Sequence, residues 1–320
     1  MLKTHTVYSA TYNALLALAS WKQKPILKKI WGTLWRWQLG FPGLVASKLH
    51  GQPVVLTNGH YYPLVNIWHP LFNQPLFALA EFMIRERKRN IKIVDVGAAV
   101  GDTVLMLEAN FPGKIDGYLC VDGDPQFFSF QEYNLSSVSH KTQKVFSLLS
   151  DEATMVGSIE KTNMTTGSAL GETKVMSRTL DQIAQDSNFS GVDLIKIDVD
   201  GFDGKVLGGA QKILLNDKPG VVFEWNTPYF HKTGNEILQP FEVLHHCGYN
   251  RFIWFNNLGE FTHVQFGLDV EALHETDKIS KLQLDKTGLH YDVVALHLDC
   301  QIEVAEFVHF ALTQRKRSGW

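Results

Sequence analysis

Val94-Asp95-Val96-Gly97-Ala98-Ala99-Val100-Gly101-Asp102-Thr103 closes the apolar run 91–96 and opens the amphipathic stretch 102–109. An apolar run, a glycine-bearing turn and a helical pattern in that order read as a first βα unit. Outward from this junction the alternation repeats. Strands are predicted at 91–96, 117–121, 144–149, 193–198, 220–224, 251–255 and 291–298, and helices at 102–109, 125–133, 179–185, 204–215 and 240–246. The order βαβα, with no clear helix between the last two strands, predicts a doubly wound, mostly parallel seven-stranded α/β sheet with helices on both faces.

Upstream, residues 1–50 have helical spacing of apolar residues, several lysines and four tryptophans, Trp21, Trp31, Trp35 and Trp37. Trp31 and Trp35 share a helix face. Residues 38–74 are rich in turn formers and read as a connector, and 75–88 resumes a helical pattern. The expected division is an N-terminal helical extension and connector over 1–90, followed by a domain over 91–320 with insertions near 151–177 and 261–288. The first insertion is polar and weakly periodic, which suits a small β excursion or a loop; the second is placed to shape a substrate site.

Of 320 residues, 45% are hydrophobic and 20% charged, enough apolar surface to bury a core. The net charge of −3 supplies no broad basic field, which argues against a nucleic-acid partner. Three cysteines, Cys120, Cys247 and Cys300, are far apart and lack metal-ligand spacing, so packed thiols in a reducing compartment are expected. No apolar run reaches the roughly 18 residues of a membrane span. The run at 14–19 is shorter than a secretory core, and a cytoplasmic location follows as the expectation.

The chemistry gathers at the ends of the predicted strands, where open α/β sheets bind ligands. Gly97 and Gly101 permit a tight turn and close ligand approach, and Asp95 can order that turn or meet a cationic group. The spacing departs from the dinucleotide pattern GxGxxG, because Ala99 stands at its second glycine; a nicotinamide dehydrogenase loses support. The second strand ends in Asp122-Gly123-Asp124-Pro125, roughly 20 residues after the glycine turn, where an acidic side chain meets ribose hydroxyls. One of the two aspartates can instead cap the helix that follows Pro125. In the fourth strand, alternation sends Lys196, Asp198 and Asp200 to one side. Three charges there are costly unless they meet a ligand or one another. Glu224 ends the fifth strand.

Together these junctions resemble the class I methyltransferases that use S-adenosylmethionine, specifically the FkbM-type family. VDVGAAVGDT is similar to that family's first motif, VDGDPQ to its strand-two acidic motif, and Thr179-Leu180-Asp181 with LIKIDVDGFD to its TLD and KIDVEG-type signature. The resemblance spans about 91–226 and implies a Rossmann-like fold. It implies that Gly97, Ala98, Gly101 and Thr103 line the methionine side of S-adenosylmethionine, that Asp122 holds the ribose, and that Ser150 and Asp151 sit near the adenine. Asp95, Asp102, Gly123, Asp124 and Asp198 complete the expected cofactor set. Asp200 and Asp203 stand where the family usually has Glu, which shortens each reach by one methylene.

The function expected is O-methylation of a hydroxyl on a small molecule or glycan-type acceptor, with Asp198, Asp200 and Lys196 as the catalytic side chains. A divalent ion on Asp198 and Glu224 is less favoured, because paired carboxylates are common without a metal. The alternative is a non-catalytic cofactor-binding or scaffold protein on the same fold. The aromatic, lysine-bearing N-terminal helices suit a membrane surface, although such segments more often cap a sheet or form a homo-oligomer face. His60, Tyr62, His69 and Asn73 lie beside the cofactor mouth in sequence, and His231, His245 and His246 have no ligand spacing; lone polar residues of this kind are more often surface or packing groups.

Overall fold

The structure is a computed structural model that describes residues 3–4, 6–20, 24–161, 167–168, 171–287 and 290–314. Trp21, residues 162–166 and 169–170 of the first insertion and residue 288 of the second lie outside the described residues. The elements in chain order are α1 (Thr6–Ala17), α2 (Pro25–Leu39), β1 (Leu44–Leu49), β2 (Gln52–Thr57), α3 (Tyr62–Trp68), α4 (Gln74–Arg87), β3 (Ile91–Val96), α5 (Asp102–Asn110), β4 (Ile115–Asp122), α6 (Pro125–Asn134) and β5 (Thr142–Phe146). Then come the short β6 (Met155–Gly157), β7 (Glu160–Lys161), β8 (Gly167–Ser168) and β9 (Lys174–Met176), followed by α7 (Leu180–Asp186), β10 (Leu194–Ile197), α8 (Asp203–Gly208) and α9 (Gln211–Asn216). The chain continues through β11 (Gly220–Trp225), α10 (Thr227–Thr233), α11 (Gln239–His246), β12 (Tyr249–Asn256), β13 (Phe261–Phe266), α12 (Val270–Thr287), β14 (Tyr291–His297) and α13 (Val304–Thr313).

The main sheet has the order β5-β4-β3-β10-β11-β14-β12-β13. β5, β4, β3, β10 and β11 are mutually parallel, and β14 enters antiparallel between β11 and β12. Strand order therefore reverses between β3 and β10, and the chain reaches the β3–β4 and β10–β11 ends from opposite sides. Such a switch point opens a crevice at the carboxyl edge.

Alternation along the strands splits the apolar residues between two faces. Ile91, Ile93, Tyr118, Cys120, Leu194 and Val294 join one core cluster, whereas Val94, Val96, Leu119, Val121, Ile195 and Ile197 join the other. The first cluster runs without a break into Tyr12, Leu15, Trp31 and Trp35 of α1 and α2. Trp31 and Trp35 stack with ring centroids 5.3 Å apart, so their shared helix face is directed inward. The N-terminal helices thus bury their aromatic face on the same side of the sheet as α4 and α13.

Several sequence expectations need correction. The sheet has eight strands rather than seven: β13, placed by sequence within the second insertion, pairs antiparallel with β12 as an edge strand, and the 18-residue α12 follows it. The connector holds a hairpin, β1–β2, and the short α3. Its two turn residues His50 and Gly51 both have positive φ (48° and 80°), as a tight hairpin of right-handed strands requires. The third strand, β5, ends at Phe146, short of the expected Leu149. The helix expected over 204–215 is broken into α8 and α9 at Gly209-Ala210. In the first insertion, β6 pairs with β9 and β7 with β8.

Candidate active site

Each βα junction on the carboxyl edge contributes a side chain through its own local logic. After β3 the backbone must turn within five residues, and Gly97, Ala99 and Gly101 all take positive φ (75°, 42° and 86°). At Gly97 a Cβ would lie 1.9 Å from the carbonyl oxygen of Asp198, so the turn is pressed directly against the end of β10. Ala99 accepts a conformation that ordinarily favours glycine because its neighbours hold it. Its N–H donates to Asp122 Oδ2 (2.8 Å), and its carbonyl accepts from Gln131 Nε2 (3.0 Å). Asn134 Nδ2 donates to the next carbonyl, Val100, at 2.9 Å.

Asp122, at the tip of β4, uses its other oxygen to accept from the N–H of Asp124 (2.8 Å). Burial raises its pKa to about 7, with the two backbone donors opposing the shift. Asp124 caps α6, accepting from the N–H groups of Gln126 (2.7 Å) and Phe127 (3.1 Å). The two aspartates therefore divide the work, one capping and the other facing the ligand side.

Beyond β10 the strand geometry stops at Ile197. Asp198 begins a turn, and Asp200 and Gly201 are left-handed (φ 51° and 91°), so strand alternation does not place Asp200. Lys196 is in register with Asp95 on the neighbouring β3, and the two meet on the same sheet face. Its Nζ lies 3.5 Å from Asp95 Oδ1 and 3.3 Å from Asp198 Oδ2, and donates to the Gly97 carbonyl at 3.2 Å. Burial alone would lower the lysine's pKa; Asp198, Asp95 and Asp102 outweigh it and drive the pKa well up. Asp95 is fully buried, and that burial raises its pKa while Lys196 pulls it back.

These junctions line an open cleft at the carboxyl edge of the sheet. Its walls include Gly97, Ala99, Asp122, Gly123, Asp124, Asp198 and Asp200, with Phe127, Leu148, Leu149, Ile159 and Phe202 as the apolar part. Asp198, about half exposed, also lines a second, small cavity with Asn73, Lys196, Glu224 and Asp292. Glu224 Oε1 pairs with His290 Nε2 at 3.0 Å. Burial raises the Asp292 pKa to about 7, against the pull of His290.

Not every expected residue reaches the cleft wall. Ala98 and Thr103 are buried behind the turn, and Gly101 closes it against Leu135. Asp102 sits in the first turn of α5, where burial raises its pKa to about 7 despite Lys196. Ser150 and Asp151 are turned toward α8: Ser150 Oγ donates to Asp151 Oδ1 (3.0 Å), and Lys205 Nζ pairs with Asp151 Oδ2 (2.9 Å). Burial would raise the Asp151 pKa, but Lys205 and Ser150 hold it below the usual range. The residues that wall this flank are Ser147, Leu148 and Leu149, three positions earlier, because β5 ends earlier. Lys196, expected among the catalytic groups, lines the smaller cavity and not the cleft.

Gln131 and Asn134 were not singled out from sequence, yet they clamp the glycine turn. Their signal was available: with Phe127 and Phe130 they occupy 127, 130, 131 and 134, the buried face of α6, where an amide needs a partner. Asn73, from the connector, does reach the site, whereas His60 is buried and its pKa lowered to about 4 by that burial. Among the described residues, no group of three or more His, Cys, Asp or Glu side chains is placed to hold a metal ion.

A reversed strand, β14, between β11 and β12, a carboxyl-edge cleft and an acidic tip on β4 are the layout of a Rossmann-like α/β fold. Residues 95–251 match the family model of the methyltransferase FkbM domain. This segment is an FkbM methyltransferase domain. No curated protein matches it. Among solved structures it is similar to an FkbM methyltransferase from Methylobacillus flagellatus KT at 14% identity and a TM-score of 0.37, covering 57% of this chain and 52% of that one. Similarity also extends to precorrin-6y C5,15-methyltransferase from Geobacter metallireducens GS-15, at 12% identity and a TM-score of 0.36, over 68% of this chain and 86% of that one. A third is TrmK of M. capricolum in complex with S-adenosyl-homocysteine, at 11% identity and a TM-score of 0.35, over 72% and 73%.

Proposed function

We propose that the chain transfers a methyl group from S-adenosylmethionine to a hydroxyl of a small-molecule or glycan-type acceptor. The observation that carries this reading is the opening of the Asp122 carboxylate and the Gly97 turn onto the same cleft as Asp198 and Asp200. S-adenosylmethionine, when bound, supplies an electrophilic methyl on a sulfonium.

The residues fit that group. Each Asp122 oxygen takes one backbone N–H and keeps a lone pair for a ribose hydroxyl. Phe127, Leu148, Leu149 and Ile159 provide an apolar wall for a purine, and the carboxylates at the other end suit a cationic centre. Asp198 and Asp200 then orient the acceptor hydroxyl and take its proton, a contribution of roughly 10²-fold to 10⁴-fold for a well-placed base. Lys196 acts as a positioning residue, fixing Asp198 and the Gly97 carbonyl together.

The test begins with calorimetric titration of S-adenosylhomocysteine beside NAD. Binding of the first only is expected, and Asp122→Ala should weaken it by about 1–3 kcal/mol, the range for bonds to a charged acceptor. Transfer of labelled methyl to a panel of sugars and small alcohols follows. Asp198→Asn and Asp200→Asn should slow turnover far more than they weaken S-adenosylhomocysteine binding. Binding without transfer to any acceptor would favour a scaffold, and NAD binding would overturn the cofactor assignment.

A further inference from the structure

The first 80 residues hold seven Lys and Arg and no Asp or Glu; all 33 carboxylate side chains begin at Glu81. Within this segment α2 is apolar on two faces. One is spent on the core, through Trp31, Trp35 and the buried Gln38. The other carries Ile26, Ile30, Leu34 and Trp37, which are 77%, 47%, 42% and 53% exposed. At about 100° per residue these four positions fall within a sector of about 80°, so they form one continuous outward stripe. Lys29 and Arg36, both exposed, flank it on one side, exposed Lys24 lies toward the other at the helix start, and exposed Lys28 points away from it.

An outward apolar stripe that includes a tryptophan and is bordered by cations has the composition of a helix lying in the plane of a lipid interface. The charge distribution selects among occupants. Two copies meeting through α2 in a symmetric pair would bring unpaired cations face to face, with no carboxylate in the segment to relieve them. An anionic lipid surface complements those cations and repels the acid-rich remainder of the chain, which orients the molecule with α2 first.

We propose that α2 docks the protein on an anionic lipid surface, with Ile26, Ile30, Leu34 and Trp37 entering the headgroup boundary and Lys24, Lys29 and Arg36 at headgroup level. None of these residues lines the cleft, so the proposal does not rest on the identity of the acceptor.

Flotation of the full chain with phosphatidylcholine vesicles, with and without phosphatidylglycerol, tests it. The protein should float with the anionic vesicles, stay behind with the neutral ones, and be released by high salt. The double variant Ile30→Ser with Leu34→Ser should lose more than tenfold in partitioning, and Lys29→Gln with Arg36→Gln about fivefold for each cation removed. Both pairs are exposed, so circular dichroism and S-adenosylhomocysteine binding should be unchanged. Absence of flotation, flotation indifferent to the stripe variants, or a dimer in sedimentation that the Ile30→Ser, Leu34→Ser variant splits would each overturn the proposal.

Discussion

The N-terminal segment and the carboxyl edge of the sheet satisfy their buried polar groups by opposite means. In the segment the partners are neutral: Gln38 Nε2 donates to Asn58 Oδ1 (2.7 Å), Ser47 Oγ to Asn13 Oδ1 (2.7 Å), and Tyr12 Oη to the His60 carbonyl (2.8 Å). At the sheet edge Asp95, Asp102, Asp198 and Asp292 share few basic partners, chiefly Lys196 and His290. Amide networks hold one geometry whatever the pH; crowded carboxylates hold theirs only while protons and ligands balance the charge. Rigidity for packing and responsiveness for chemistry are thus built from different polar groups in one molecule.

The largest expected effect tests the edge. Gly97→Val should abolish S-adenosylhomocysteine binding, and because the new Cβ would meet the Asp198 carbonyl at 1.9 Å, it should also cost more than about 3 kcal/mol of stability. Calorimetry and urea denaturation read the two losses; a stable variant that merely fails to bind would show that the turn can separate from β10.

Next comes the seam between the regions. Asn134 accepts from the Val55 N–H (2.8 Å) and donates to the Val55 carbonyl (3.2 Å), while also reaching Val100. Asn134→Ala leaves buried backbone groups of β2 without partners and should cost about 2–3 kcal/mol. Faster proteolytic cleavage in the β1–β2 hairpin is the expected signature, and an unchanged cleavage pattern would place the seam elsewhere.

The pH dependence should be smaller and confined to the edge. Asp102, Asp122 and Asp292 have folded pKa values raised to about 7, so the folded state holds their protons more tightly than the unfolded chain does. Their contribution to stability is full below about pH 4 and is lost as pH rises through 7. The melting temperature of the ligand-free protein should fall between pH 5 and pH 8 on their account. Ribose hydroxyls donating to Asp122 favour its ionised form, so S-adenosylhomocysteine affinity should run the other way, about tenfold weaker at pH 6 than at pH 8. An affinity flat across that range would remove Asp122 from the ribose. The smallest effect belongs to the outer face of α2, where Ile30→Ser should change the unfolding free energy by no more than about 0.5 kcal/mol.

The parallel half of the sheet was legible because β3, β4, β10 and β11 are buried on both faces, giving short apolar runs bounded by glycine and aspartate. β13 was not, since Phe261–Phe266 is an edge strand whose side chains are exposed or half-buried and carry no core alternation. In the β1–β2 hairpin only β1 alternates, since Val54, Val55 and Leu56 of β2 are all buried, and the turn falls at His50-Gly51 rather than the Asn-Gly or Asp-Gly that marks such turns. In the site, the capping role of Asp124 was readable from the proline that follows it. Alternation was carried three residues past the end of β10 to reach Asp200, which lines the cleft by way of a turn; the Asp-Gly pair at 200–201 was the signal for that turn. Ser150 and Asp151 came from the family resemblance; in the structure they follow the end of β5 at Phe146 and pair with Lys205.

β14 lies between β11 and β12 although it is synthesised after both. A nascent chain that has emerged only as far as β13 therefore has two open strand edges, one on β11 and one on β12, and each is a template for pairing with another chain. The sheet closes only when Tyr291–His297 slides into that slot, and the same event brings Asp292 beside Glu224 in register. The acidic side of the site is consequently the last part to assemble, and a truncated translation product would carry the glycine turn and Asp122 yet remain adhesive and incomplete.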